Sequence, residues 1–268
     1  MLNLEVVSQQ LTQYSTWQWG YWFPAWHVVA EGMGYLASWM VLRHQPIQDV
    51  LQPSQRSSLK WWTLGGAILG AKVVPMLEAL WGGMGGWWIA LGVGKSLAGG
   101  LLGGIIGSEW GKKRQGITLA TGDVLVYPLL AGALLGRLGC ASTAVWDGMV
   151  GQAIPHAWWR WLGISMMKET SQALLPEPLE TGVYWNMGSI EWVALVCLAV
   201  WLSWIRKTLQ QHYQPGGFFY VFCLSYFSLR VLLEPLKHGG NSFTVVTGVS
   251  MIGIVIACIR LRALQQKT

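Results

Sequence analysis

Seven stretches of about twenty mostly apolar residues recur along this chain of 268 residues, and about twenty is the length an α-helix needs to cross a bilayer. They cover 23–42, 61–80, 89–110, 119–138, 189–205, 217–236 and 244–261. The third is dense in glycine and is interrupted by Lys95. Lipid gives backbone N–H and C=O groups nothing to bond to, so segments of this kind must satisfy themselves as helices. The expected fold is all-α and polytopic, with about seven transmembrane helices. Composition points the same way: 53% of residues are hydrophobic and 11% charged, against about 25% charged in soluble domains. No hydrophilic block is long enough to fold alone, so one domain over 1–268 is expected.

The charged loops set an orientation. Arg43, Arg56 and Lys60 follow the first span, and Lys112, Lys113 and Arg114 follow the third. Arg206 and Lys207 follow the fifth, and Arg260, Arg262 and Lys267 follow the seventh. With seven spans all four clusters fall on one side, which the positive-inside rule makes cytoplasmic. The N-terminus and the long loop 140–187 then lie outside, and the C-terminus inside. The net charge of +6 is accounted for by this topology and does not call for nucleic acid. The first cation is Arg43, so there is no basic leader region and a cleaved signal peptide is not expected. Most of the 19 tryptophans suit the membrane interface. The cluster His156-Ala157-Trp158-Trp159-Arg160-Trp161 suggests a segment lying on the outer surface rather than a disordered connector. Cys140, Cys197, Cys223 and Cys258 form no C-x-x-C pair, so packing is their default role and neither a metal site nor a disulfide framework is expected.

Glycine recurs at helical spacing. Gly99, Gly103 and Gly107 are four apart, as are Gly100 and Gly104, Gly132 and Gly136, and Gly66 and Gly70. Small residues at this spacing let helix backbones approach closely. The double glycine Gly99-Gly100 beside Ser96 also offers backbone that a polar headgroup could meet.

Ionisable side chains at membrane depth are expensive and mark function by default. Here they are Glu31, Lys72, Glu78, Asp123, Arg137, Glu191, Arg230 and Glu234. In the orientation above, Glu78, Arg137, Glu191, Arg230 and Glu234 fall in the outer half. Lys72 and Glu31 lie near the middle, and Asp123 near the inner face. Tyr226, Arg230 and Glu234 are spaced i, i+4, i+8 and share one helix face. One reading is an ion pair that only holds helices together, with Tyr226 as packing. The other is an arginine held by a glutamate and aimed at an anion, since a guanidinium grips phosphate bidentately. Arg137 could be a second grip.

The segments G-K-S-L-A-G-G-L-L-G-G from Gly94, T-G-D-V-L-V-Y-P from Thr121, G-R-L-G-C from Gly136, D-G-M-V-G from Asp147 and Y-F-S-L-R-V-L-L-E from Tyr226 resemble the prolipoprotein diacylglyceryl transferase family. The resemblance covers about 26–261 and is firmest over 94–151. It implies a multi-pass enzyme of the bacterial cytoplasmic (inner) membrane that moves diacylglyceryl from phosphatidylglycerol, one of its membrane lipids. The acceptor is the cysteine thiol of a prolipoprotein lipobox peptide. No metal or soluble cofactor is implied, and the nucleophile belongs to the substrate.

Carried over by position, Arg137 matches the G-R-x-G arginine, and Tyr226, Arg230 and Glu234 match Y-x-x-x-R-x-x-x-E. Gly99 and Gly100 match the family's double glycine. Gly151 matches the glycine that ends the loop after G-R-x-G, and Asp147 stands near its acidic residue. Lys72 sits where a basic residue is common. Glu191 matches the glutamate of an R-H-P-x-Q-x-x-E stretch, which otherwise reads Tyr184-Trp185-Asn186-Met187-Gly188-Ser189-Ile190 here. Two further departures are Ala98, where the family has a histidine suited to general-base work, and Cys140, where it has asparagine. The implied mechanism uses Arg137 and Arg230 as phosphate grips that stabilise charge as the C–O bond breaks. Glu234 orients Arg230, Tyr226 bonds the headgroup, and Glu191 or Asp147 takes the thiol proton. Two other readings share the intramembrane charges. One is a phospholipid-binding relative without turnover, which Ala98 suits. The other is a small-solute transporter, against which stand the outer-half clustering and the lack of an inverted repeat.

Overall fold

The computed structural model describes residues 25–45, 51–81, 94–145, 149–154, 161–166, 168, 171–172, 179–237 and 244–265. Among these residues are seven long helices: α1 (Ala25–Arg43), α2 (Pro53–Trp81), α3 (Leu97–Gln115), α4 (Val126–Ser142), α5 (Met187–His212), α6 (Gly217–Leu233) and α7 (Val245–Leu264). Short 3₁₀ turns precede α4 (Asp123–Leu125) and follow α6 (Glu234–Leu236). Five segments are long and apolar enough to cross a membrane: Pro53–Leu80, Asp123–Ser142, Met187–His212, Gly217–Leu236 and Val245–Leu264. The chain is therefore a helical, multi-pass membrane protein. Hydropathy locates the apolar part of each helix but not its ends. α2 starts at Pro53, before the apolar run, and α5 continues to His212 past Arg206 and Lys207, because polar residues extend a helix as readily as apolar ones. The apolar run of the third span begins at 89, but α3 starts at Leu97; 89–93 lie outside the described residues.

The chain groups into two compact units: Met1–Arg43 with Tyr127–Ser203 and Pro235–Gly240, and His44–Val126 with Trp204–Glu234 and Asn241–Thr268. In the first unit, α1 lies on α4. A Cβ added at Gly34 would come 2.8 Å from the Gly132 carbonyl oxygen, and Ser38 Oγ donates to the Pro128 carbonyl at 2.8 Å. α5 begins against the end of α4. Gly188 packs on the Ala141 backbone where no side chain would fit, and buried Asn186 donates from Nδ2 to the Ala141 carbonyl at 2.8 Å. The Asn186 Oδ1 accepts from Ser189 N–H at 3.0 Å, capping α5.

The loop 140–187 holds a three-stranded antiparallel sheet, which its sequence does not announce. The strands are β1 (Val150–Ala153), β2 (Gly163–Met166) and β3 (Gly182–Asn186), in the order β1-β3-β2. β2 pairs in register from Gly163↔Trp185 to Met166↔Gly182, while β1 is bulged between Val150 and Ala153. Val145, Val150, Ile164, Met166, Leu179 and Tyr184 form its buried core. These strands are four or five residues long, too short for a clear period of two. Of the tryptophan cluster, 156–160 lie outside the described residues, and Trp161 is exposed.

In the second unit, α2 and α3 meet along their glycines. A Cβ at Gly66, Gly70, Gly99 or Gly103 would collide with the facing backbone carbonyl, so the four-residue repeat serves helix contact. Pro75 lies inside α2 and has no N–H, which leaves the carbonyl of Ala71 without its helical donor. The Ser96 N–H takes that carbonyl at 2.9 Å. Ser96 then caps α3, its Oγ accepting from Gly99 N–H at 3.1 Å. α6 follows Gly216, which has φ 100 and no side chain to cap with. Asp123 supplies the cap from the turn before α4, accepting from Gly216 N–H at 2.7 Å and Phe219 N–H at 2.8 Å. α7 packs on α6 with Gly253 against the Phe227 ring.

Candidate functional site: two arginine–glutamate pairs

The first pair follows from the way α5 begins. With Gly188 against Ala141, one turn onward in α5 and one turn back in α4 bring Glu191 to Arg137. Arg137 Nε lies 2.8 Å from Glu191 Oε2, with side-chain exposures of 17% and 4%. Arg137 Nη1 also reaches Cys140 Sγ at 3.6 Å. Sulfur is a weak acceptor, so the cysteine that stands in place of asparagine still touches the guanidinium. The sequence reading gave the thiol proton to Glu191 or Asp147, and the Glu191 carboxylate lies on Arg137. Gly151 sits in the same unit, where a Cβ would meet the Leu236 carbonyl oxygen at 2.6 Å and Met187 Sδ at 2.9 Å. It bridges to Lys237, and Gln152 Nε2 donates to the Pro235 carbonyl at 2.8 Å. Asp147 lies outside the described residues.

The second pair closes the end of α6. Arg230 Nη2 donates to Glu234 Oε2 at 3.3 Å, and the side chains are 8% and 3% exposed. Thr244 Oγ1 donates to the other carboxylate oxygen, Oε1, at 3.0 Å. Thr244 is also the N-cap of α7, accepting from Thr247 N–H at 3.2 Å. In the next residues, Val246 N–H donates to Glu78 Oε1 at 3.4 Å. Two carboxylates and one arginine thus gather at the N-terminal end of α7, where the helix dipole favours negative charge. Tyr226, one turn before Arg230, is buried between Phe222 and Phe227, with ring centroids at 6.2 and 5.9 Å.

The remaining sequence candidates are elsewhere in this unit. Gly99 and Gly100, read as backbone open to a headgroup, are placed in contact with α2: Gly99 on Gly70 and Val74, Gly100 on Ala67 and Ala71. Lys72 Nζ donates to the Gly94 carbonyl at 3.4 Å. Ala98 is 1% exposed. Thr244 and Asn186 were missed as supporting residues, whereas Glu78 was already among the intramembrane charges. Thr244 carries a local signal, a hydroxyl three residues before Thr247 and ahead of an apolar run; Asn186 is recognised only by what it touches in space.

Helices that cross a membrane while burying charged pairs in their packed faces define a polytopic membrane protein whose ionisable residues mark function. The family model for prolipoprotein diacylglyceryl transferase matches residues 19–262, and the chain belongs to that family. No curated protein matches it. The family is one of transferases in lipoprotein biosynthesis, acting on lipid and prolipoprotein substrates.

Proposed function

We propose that this chain transfers diacylglyceryl from phosphatidylglycerol to the lipobox cysteine of a prolipoprotein, at the outer face of the bacterial cytoplasmic membrane. On this reading it is one domain that crosses the membrane seven times, with its N-terminus outside and C-terminus inside. The thiol sulfur attacks the glyceryl carbon that bears the phosphate. The C–O bond breaks, its electron pair leaves with glycerol phosphate, and a thioether remains. Negative charge grows on the departing phosphate, and fixed cations stabilise it most at that stage. Arg137 and Arg230 are assigned this task. Glu191 and Glu234 hold the two guanidiniums, Tyr226 bonds the headgroup, and Lys72 adds positive charge. Gly151 keeps the backbone close where a side chain would intrude.

The observation that carries this reading is the pairing of half-buried Arg137 with buried Glu191 within a chain that matches the family over 19–262. The test is transfer by the purified chain from phosphatidylglycerol to a lipobox peptide. Arg137→Ala and Arg230→Ala should each lower kcat/KM by about 100-fold or more, the scale of losing one preorganised charge contact. An Arg137→Ala protein with the wild-type rate would overturn the scheme. Ala98, buried where the family's histidine stands, favours a second reading, a lipid-binding relative without turnover. Wild-type protein that binds phosphatidylglycerol and transfers nothing would establish it.

A further inference from the structure

Transfer to a thiol calls for a proton acceptor, and the residues placed so far supply none. Ala98 has no proton chemistry, and Glu191 is engaged by Arg137. The described residues of the first unit contain one imidazole, that of His27. His27 lies in the first turn of α1, at the end of the helix that meets the C-terminal end of α4. Gly139 of α4 packs on it: a Cβ there would come 3.5 Å from both His27 Cα and the His27 carbonyl oxygen. His27 Nδ1 is 3.5 Å from Thr143 Oγ1. His27 Nε2 is 3.4 Å from Glu31 Oε1, one turn along α1. Thr143 is fully buried, and its hydroxyl donates to the Gly139 carbonyl at 2.9 Å.

These contacts engage both ring nitrogens. A hydroxyl has one proton to give. Thr143 Oγ1 reaches both the Gly139 carbonyl and His27 Nδ1, so the hydroxyl can donate to the ring or accept from it. The neutral ring carries its proton on one of these nitrogens and takes up a second on the other. Uptake of the second proton turns the Nε2 contact with Glu31 into an ion pair. One side of the ring thus meets a hydroxyl that can accept or donate, and the other has a carboxylate ready for the imidazolium. The His27 and Glu31 side chains are 24% and 26% exposed, so the imidazole–carboxylate pair is partly open to substrate, while Thr143 is buried beneath it.

We infer that His27 is the general base for the acceptor thiol in this chain, with Thr143 and Glu31 as its positioning residues. This rests on the transferase reading above. The His27 imidazole removes the thiol proton as the sulfur forms its bond to the glyceryl carbon. The C–O electron pair leaves with glycerol phosphate, which then receives the proton from the imidazolium and restores the neutral ring.

The test compares two lipobox peptides that differ only in the acceptor atom, cysteine or selenocysteine, with phosphatidylglycerol as donor and the full chain as enzyme. A selenol is ionised at neutral pH and needs no base. His27→Gln should lower kcat about 100-fold with the thiol, the scale of general-base assistance, and stay within a few-fold of wild type with the selenol. Thr143→Val keeps the side-chain shape, and should show a smaller loss with the same selenol rescue. A His27→Gln rate equal to wild type with the thiol overturns the inference, as does an equal loss with both peptides, which marks a structural role. Wild type that transfers to neither peptide overturns the transferase reading together with this one.

Discussion

Arg137 Nε and Glu191 Oε2 stand 2.8 Å apart across two helices that meet where α4 ends at Ser142 and α5 begins at Met187. The loop between them is long, and the ion pair is set by the packing of Gly188 on Ala141. A buried charge that loses its partner costs about 3–5 kcal/mol. Glu191→Ala and Arg137→Ala should each lower the thermal unfolding midpoint of the detergent-solubilised protein. The double variant should be less destabilised than the two losses added together. Additive losses would show that the two side chains do not act as a pair.

Thr244 joins Glu234 to the start of α7 with one oxygen. Thr244→Val removes a helix cap, worth about 1 kcal/mol, and a bond to a carboxylate, worth about 1.5–3 kcal/mol. It should destabilise the protein by roughly the sum of these terms and also weaken transfer, because Glu234 then holds Arg230 with one support fewer. Thr244→Ser keeps the hydroxyl and should restore most of both in the same melting and transfer measurements.

Gly70 and Gly65 lie on the same helix with opposite surroundings. A Cβ at Gly70 would collide with the Gly99 carbonyl, whereas one at Gly65 meets nothing within 4 Å. Gly70→Ala should cost about 1–3 kcal/mol through overpacking. Gly65→Ala should be neutral or stabilising by up to about 1 kcal/mol, since alanine is the better helix former. Equal melting points for the two variants would contradict the close contact of α2 and α3.

Much of this architecture could be read from the sequence because the bilayer leaves few choices. Apolar runs of spanning length must be helices, and glycines four apart must line a helix face. The i, i+4 spacing of Arg230 and Glu234 makes their ion pair a local matter. The sheet in the 140–187 loop was not legible. β2 and β3 gain their order from pairing with each other, and a long connection separates the end of β2 at Met166 from its partner Gly182 at the start of β3. The pairing of Arg137 with Glu191 was not legible either, since their distance depends on how two helix ends meet.

By itself, the sequence determined that the chain spans a membrane in helices, which of their faces carry glycine, and which helices carry charge. These follow from short-range physics: lipid demands internal hydrogen bonds, and a helix repeats every 3.6 residues. The tertiary structure alone decided the partners. It brought Glu191 to Arg137, Thr244 to Glu234, the Ser96 N–H to the carbonyl orphaned by Pro75, and Thr143 to His27. Hydrogen bonds and ion pairs depend on distances of a few tenths of an ångström, and those distances are set by packing between segments far apart in the chain.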